Sequence, residues 1–455
     1  MQILPRLLAQ LTALAAALAL SAQPVAAQSV LRDAETEALL QDMLDPLLEA
    51  ADMDAGQVDV VLLNDNSINA FVAGGQRIYI HSGLIGAADT ANEVQGVLAH
   101  ELGHITGGHI NRFSEGAGNA TRITLLSTLL AVGAALAGAG EAAMGVLAAG
   151  QQAAMGSFLA FSRTQEASAD AAAVQFLSDA GISGRGSLEF FRKLQNLEFR
   201  AGVDQDSSQE FGRTHPMSGT RISRLTADYQ GDPAWGAPDD PVLQQRFELA
   251  KAKLYGYLAT PERTFAAFPD HMTSEPARYA RAYALHKEAH ADAALAEAEA
   301  LIAAEPDNPY FLELKGQILL ESGRVAEALP PLRQATAMTG SNPLIASMLG
   351  HALLATENAA NLDEAESVLR AAVGRDRENP FAWYQLGIVY GQRGDIPRAR
   401  LASSEQQAMS GDWRNALISA EAAERTLPTG SPDWLRAQDV ALQARAELER
   451  ARERN

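Results

Sequence analysis

Residues 96–109 read GVLAHELGHITGGH, and they place three of the chain's nine histidines within ten positions, around a glutamate. Thr90 followed by Glu93 is a capping-box pattern, which predicts a helix starting there and running through Gly103 to about Thr106. His100 and His104 are four residues apart, so they project from one face, one turn apart. Two imidazoles so placed can bind one zinc ion, with Glu101 beside them as general base toward a metal-bound water. The pattern is H-E-x-x-H. The alternative is two partly exposed helix histidines beside a solvated glutamate.

A catalytic zinc takes three protein ligands and keeps one position open. Downstream, SFLAFSRTQEASADAAAVQFLSDAG (157–181) reads as a second helix, ended by Gly181. Glu166 and Asp170 stand at i and i+4 on one face of it. Glu166 can be the third ligand, and Asp170 can accept a hydrogen bond from a ligand imidazole and fix its tautomer. Read alone, the segment could equally be an exposed helix with an Arg163–Glu166 pair.

Composition agrees with these readings. A chain of 455 residues is too long for one typical core, and 47% apolar content is enough for folded domains. With 56 acidic against 36 basic residues the formal charge is −20, which argues against nucleic-acid binding. There is no cysteine, so any zinc must be held by histidine and carboxylate. The first 28 residues, MQILPRLLAQLTALAAALALSAQPVAAQ, carry Arg6, an apolar run from Leu7 to Leu20, and small residues up to Ala27. That is the layout of a cleavable signal peptide, and the run is short for a membrane anchor. The expected destination is a bacterial periplasm.

Beyond the leader the texture changes once. VDVVLLND (58–65) and RIYIHSGLI (77–85) are strand-like, joined across Gly74-Gly75, whereas everything from about Pro276 is helical. Prolines 276, 309, 343 and 380 are 33, 34 and 37 residues apart. Gly316, Gly350 and Gly387 recur at position eight of their units, and Ala328, Ala365 and Ala399 at position twenty, Ala365 after a three-residue insertion. Trp383, Leu386, Gly387 and Tyr390 complete a W-x₂-L-G-x₂-Y pattern. This half resembles the tetratricopeptide repeat, whose stacked helix pairs offer a concave surface for peptides or protein partners.

HELGH, then SRTQEASAD, then RTHPMSGTR (213–221), together with NAFVAGGQRIYIHSGLI (69–85), resemble the successive signatures of HtpX-like zinc metallopeptidases, relatives of the CAAX prenyl proteases. With a leader before and repeats behind, the chain is similar to the repeat-bearing periplasmic proteases of Gram-negative bacteria that assist outer-membrane β-barrel assembly. The resemblance implies an α+β zincin-type metalloprotease domain, mostly helical with a small sheet, over 28–265, followed by an all-α repeat solenoid over 270–455. It implies one zinc ion per chain held by His100, His104 and Glu166, with Glu101 as catalytic base. His215 would sit over the metal, either as a fourth ligand that keeps the enzyme latent or as a donor to the oxyanion. Arg221 would orient a carboxylate or steady the oxyanion. The strand near Arg77–Ile80 would line the cleft and pair with extended substrate. His109 reads as a histidine behind the ligands, and His81, His271, His286, His290 and His351 as exposed or interfacial.

Between Arg122 and Arg163 the only charge is Glu141. Residues 123–161 are expected either to touch a membrane surface or to form a buried hairpin over the site. Two functions stay open. One is a zinc endopeptidase for unfolded or misassembled envelope proteins, guided by its repeats to the outer-membrane assembly machinery. The other is a repeat-based chaperone or scaffold whose zinc site is latent or structural.

Overall fold

The computed structural model describes residues 30–136, 140–200, 215 and 219–453. The expected leader lies outside these residues, as does most of the RTHPMSGTR stretch apart from His215 and the residues from Gly219 onward. The order begins with β1 (Val30–Leu31), α1 (Ala34–Ala50), β2 (Asp59–Leu63), β3 (Ala70–Ala73), β4 (Arg77–His81) and α2 (Ser82–Ala87). It continues with α3 (Ala91–Thr106), α4 (His109–Leu136), α5 (Gly140–Asp179), α6 (Arg185–Arg200), α7 (Gly219–Gln230), α8 (Pro241–Leu258) and α9 (Pro261–Ala267).

The sheet runs β1-β2-β4-β3. β2 and β4 are parallel, Asp59 opposite Arg77 and Leu63 opposite His81, while β3 lies antiparallel to β4 with Ala70 opposite Ile80. The turn from β3 to β4 needs Gly74 and Gly75, whose φ angles of +62° and +109° few side chains tolerate. β4 is therefore an interior strand, and β3 takes the outer position that the sequence reading gave to Arg77–Ile80. His81, read from sequence as exposed or interfacial, is fully buried at the end of β4, its Nδ1 2.7 Å from Ser67 Oγ.

Helix α3 starts as its capping residues dictate. Thr90 accepts a hydrogen bond from the Glu93 amide, and Glu93 reaches back to the Asp89 amide at 2.7 Å. Its residues from Ala91 to Gly103 are all buried among the leucines of α1, the sheet, α5 and α6. Helices α4 and α5 form a long antiparallel hairpin. The second strand of that hairpin is 40 residues, far longer than the segment 157–181. Its flank is not a buried one: Leu125, Leu126, Leu129, Leu130 and Met144 are all at least 60% exposed. No helix among the described residues is long and apolar enough to cross a membrane.

From α10 (Glu275–Lys287) and α11 (Ala291–Ala304) the chain becomes a stack of helix pairs: α12 (Pro309–Glu321) with α13 (Val325–Met338), α14 (Pro343–Ala355) with α15 (Leu362–Arg375), α16 (Pro380–Gln392) with α17 (Ile396–Met409), and α18 (Trp413–Glu424) with α19 (Pro432–Glu453). Helices α12, α14 and α16 open at Pro309, Pro343 and Pro380, where a missing N–H costs nothing. Gly316 and Gly350 let the paired helices touch, since a Cβ at either would come within 2.5 Å of Leu332 or Leu369. The three-residue insertion is a short 3₁₀ turn, Ala359–Asn361. The fold is a mostly helical α+β domain with a small sheet, followed by an all-α solenoid.

Helix α8 belongs to both halves: Phe247, Ala250 and Leu254 pack in the first core and Leu249 in the second. Around it the first described residues are stitched into the repeats. Ala34 packs with Leu312, Ala335 and Ile345. Lys253, 4% exposed, lies 2.5 Å from Asp33 and 3.4 Å from Glu35, and Tyr279 donates to Glu35 at 2.7 Å. Arg32 reaches Asp376 at 2.9 Å and Arg77 reaches Glu378 at 3.3 Å.

Glu313 is buried beside this cluster with one carboxylate oxygen unpartnered. Burial pushes its pKa up to about 7, against the attraction of Lys253. A carboxyl raised in the folded state costs nothing below its ordinary pKa and its full penalty above the raised one. Glu313→Gln is therefore expected to raise the thermal midpoint by several degrees at pH 8, from a penalty of up to about 3 kcal/mol. At pH 4 it should leave the midpoint unchanged; equal shifts at both would refute the assignment.

Candidate metal centre

Three segments distant in sequence meet at one point. Gly103 lies against α5 so closely that a Cβ would stand 2.7 Å from the Ala169 carbonyl oxygen. That approach brings the face of α3 carrying His100 and His104 to Glu166 on α5. His215, from the segment leading into α7, closes the group. The ligand-type atoms of His100, His104, Glu166 and His215 all lie within 4.8 Å of one another.

The individual separations fit a metal. His100 Nε2 is 3.1 Å from His104 Nε2, 3.2 Å from His215 Nδ1 and 3.4 Å from Glu166 Oε2. Glu166 is 3.4 Å from His104 Nε2 and 3.1 Å from His215 Nδ1. Four donors about 2.0–2.1 Å from a tetrahedral zinc stand about 3.3 Å apart. Three nitrogens and a carboxylate, without thiolates, are a zinc-type set. Glu101 supplies an independent sign. It is 1% exposed, and neither carboxylate oxygen has a hydrogen-bond partner among the described residues; His215 Nε2 is 3.6 Å away. A buried carboxylate left so needs a polar guest, and a water held beside a cation is one.

Behind the donors lies a brace. Asp170 Oδ1 is 3.0 Å from His100 Nδ1, opposite the metal-facing nitrogen. Arg221, in the first turn of α7, donates two 2.7 Å hydrogen bonds to the Asp170 carboxylate. It also stands 3.0 Å from Glu166 and donates to the His215 carbonyl at 3.3 Å. Phe191 of α6 packs under both, its ring 5.2 Å from the guanidinium and edge-on to His100. Of the two roles open to Arg221, this geometry matches the orienting of a carboxylate. His109 sits behind the ligands, Nδ1 2.9 Å from His104 Nδ1.

Burial alone would lower the pKa of His100, but Asp170 and Glu166 more than offset it and hold it at about 9. Burial keeps His104 below its ordinary value. Glu166 stays far below the usual carboxylate range because His215, His100 and His104 outweigh its burial. Asp170 is held at about 2 by His100 and Arg221 against the same penalty.

A cavity of about 330 Å³ opens over Glu101 and His215, walled by Phe71 and Val72 of β3 and by Phe158 and Phe161 of α5. The sequence reading named none of these four as cavity residues. Phe158 and Phe161 were discernible as aromatics on the helix of Glu166, one to two turns upstream. The role of β3 was not, because strand order is set by pairing across the sheet.

Fold and site together define a zinc metalloprotease joined to a repeat solenoid. Residues 34–228 match the family model described as Peptidase family M48. It is 26% identical over 384 residues to the beta-barrel assembly-enhancing protease of Escherichia coli K12, covering 81% of this chain and 75% of the relative. The protein of the same name from Yersinia pestis is 25% identical, covering 82% and 76%. Metalloprotease LoiP of E. coli K12 is 32% identical over 168 residues, 35% of this chain and 60% of the relative. A solved tetratricopeptide-repeat protein, YrrB, aligns with 38% of this chain and 91% of its own at 21% identity and a TM-score of 0.32.

Two outcomes follow from the geometry. Gly103→Ala forces α3 and α5 apart at a cost of about 1–3 kcal/mol, and both zinc content and thermal midpoint should fall. Retention of zinc with an unchanged midpoint would contradict the packing account. Second, His100 carries a proton near pH 7 in the metal-free site, whereas zinc requires the neutral ring. Zinc uptake should release about one proton, and affinity should climb about tenfold per pH unit toward pH 9. Calorimetry in two buffers of different ionisation enthalpy measures that release, and an equal heat in both would disprove it.

Proposed function

We propose that this chain is a periplasmic zinc endopeptidase acting on misfolded or stalled outer-membrane and envelope proteins. In this reading residues 28–265 form the catalytic unit, and the repeats over 270–455 dock clients or the assembly machinery. The observation that carries it is Glu101: buried, without a hydrogen-bond partner on either oxygen among the described residues, and beside a four-donor metal group. A purely structural zinc has no chemical use for such a carboxylate. The names of the relatives, beta-barrel assembly-enhancing protease among them, supply the client class. The sequence of the leader supplies the compartment.

His100, His104 and Glu166 would hold the zinc, which when bound supplies Lewis acidity and makes a water acidic enough to ionise near neutral pH. Glu101 takes up the proton of the attacking water and returns it to the departing amine nitrogen. Asp170, fixed by Arg221, lies 3.0 Å from His100 Nδ1, where it can hold that nitrogen and leave Nε2 for the metal. The outer edge of β3 offers backbone N–H and C=O groups to an extended chain, so pairing places few demands on sequence. Phe71, Phe158 and Phe161 favour an apolar side chain beside the cut.

His215 has two uses. As a fourth ligand it keeps water out and the enzyme latent; moved aside, it can donate to the oxyanion. A closed four-donor group also suits the second reading, a chaperone or scaffold with a latent or structural zinc. The exposed leucines of 123–161 are the part of the surface suited to peripheral membrane contact.

The test is degradation of an unfolded outer-membrane β-barrel protein by the mature chain, with zinc quantified in each variant. Glu101→Gln should keep its zinc and lose at least about a hundredfold in rate. His215→Ala removes both the latch and the donor, so with zinc bound it should still cut, faster than the parent chain where the latch limits the rate and slower where the oxyanion contact does. Zinc-loaded His215→Ala that binds client but cuts nothing would hand the result to the scaffold reading.

A further inference from the structure

Away from the metal group, a cavity of about 480 Å³ lies in the repeats between α15, α16, α17 and α19. It is lined by four guanidinium groups, Arg370, Arg377, Arg398 and Arg436, with Trp383 and Leu435 between them. That is a marked local excess of positive charge in a chain of formal charge −20. Two of the four are committed inside the fold. Arg398 lies 2.7 Å from Asp433 and 3.0 Å from Asp395, and Arg436 is paired with the buried Glu405. The other two are not. Arg370, 61% exposed, has only Glu366 at 3.6 Å, and Arg377 has no acidic partner among the described residues. Asp439 is the one further carboxylate on the lining, and its field falls on Arg436.

The apolar members complete a recognisable chemistry. The Trp383 indole N–H is already spent on the Arg377 carbonyl at 3.0 Å, so the ring offers apolar and π surface rather than a donor. Leu435 is half exposed. Unpaired guanidiniums prefer the planar, bidentate geometry of carboxylates, and an aromatic and a leucine between them ask for an apolar side chain next to those carboxylates. A lone inorganic anion would use the charge and leave the apolar floor wet.

We propose that this groove docks an acidic segment of a partner polypeptide, two or more carboxylates flanking an apolar side chain, with Arg370 and Arg377 as the reading residues. The proposal rests on the reading of the repeats as a docking domain and gives that domain its ligand class. Location fits the role. Arg377 stands in the loop whose neighbours Asp376 and Glu378 hold Arg32, just after β1, and Arg77 of β4, so a segment docked there is tethered beside the catalytic domain.

The experiment uses the mature chain carrying Glu101→Gln, so that no probe is cut. Its ligand is a fluorescein-labelled octapeptide with four glutamates around a leucine and a phenylalanine, followed by fluorescence anisotropy. Saturable binding at low salt is expected, weakened by at least about tenfold in high salt and in Arg370→Glu/Arg377→Glu. Both arginines are exposed, so the double variant should melt as its parent does. The inference is overturned if the glutamine version of the peptide binds as tightly, if the double variant binds within twofold of its parent, or if inorganic phosphate alone displaces the probe. Binding of an unfolded β-barrel protein is followed in parallel. Client bound without any acidic-peptide binding removes this inference and leaves docking intact; a chain that binds neither loses both.

Discussion

The catalytic domain depends on an atom that is missing. Gly103 has no Cβ, and the helix of His100 and His104 can therefore lie against the backbone of Ala169. Glu166 stands about one turn before that contact and Asp170 is the residue next to it. An ion site that needs donors placed to within a few tenths of an ångström is thus built on two rigid helices rather than on loops. The third segment, carrying His215, is fastened by Arg221 to the same Asp170 that faces His100. A single carboxylate therefore links all three contributors.

Electrostatics makes the protein-only site a poised one. Glu101, Glu166 and Asp170 are all buried within one small volume, opposed by Arg221 and by a raised His100. Burying carboxylates together is expensive unless positive charge joins them. A divalent cation relieves that tension directly, and it does so at the same place where the Glu101 oxygens lack partners. Zinc binding and local order are in this sense one equilibrium.

How far the sequence could be read depended on how local each signal was. The capping residues Thr90 and Glu93, the four-residue spacing of His100 and His104, and the prolines opening the repeats act within a turn or two, and the helices start where those residues put them. Glu166 and Asp170 were accessible through their spacing on one helix face. His215 was accessible only through resemblance, because nothing around it reveals that it folds back more than a hundred residues onto His100. Strand order misled for the same reason: β4 looks the better strand, yet its partners on both sides come from elsewhere in the sheet. His81 reads as exposed or interfacial, but the fold buries it at the end of β4 with Nδ1 2.7 Å from Ser67 Oγ. The pattern over 157–181 marks only the second half of α5, which runs unbroken from Gly140, with Gly150 packed closely against Ser127.

The stitching of Arg32, Asp33 and Glu35 into the repeats bears on the time course of folding. Arg32 and Asp376 are 344 residues apart, and Tyr279 and Glu35 are 244 apart. Contacts of such separation are entropically slow to close, and here the segment synthesised early is held by partners synthesised late. The start of α1 must wait for the solenoid before it has anything to pack against. A truncated or nicked solenoid would therefore leave Arg32 and Glu35 without Asp376 and Tyr279, and the protease half with an open seam.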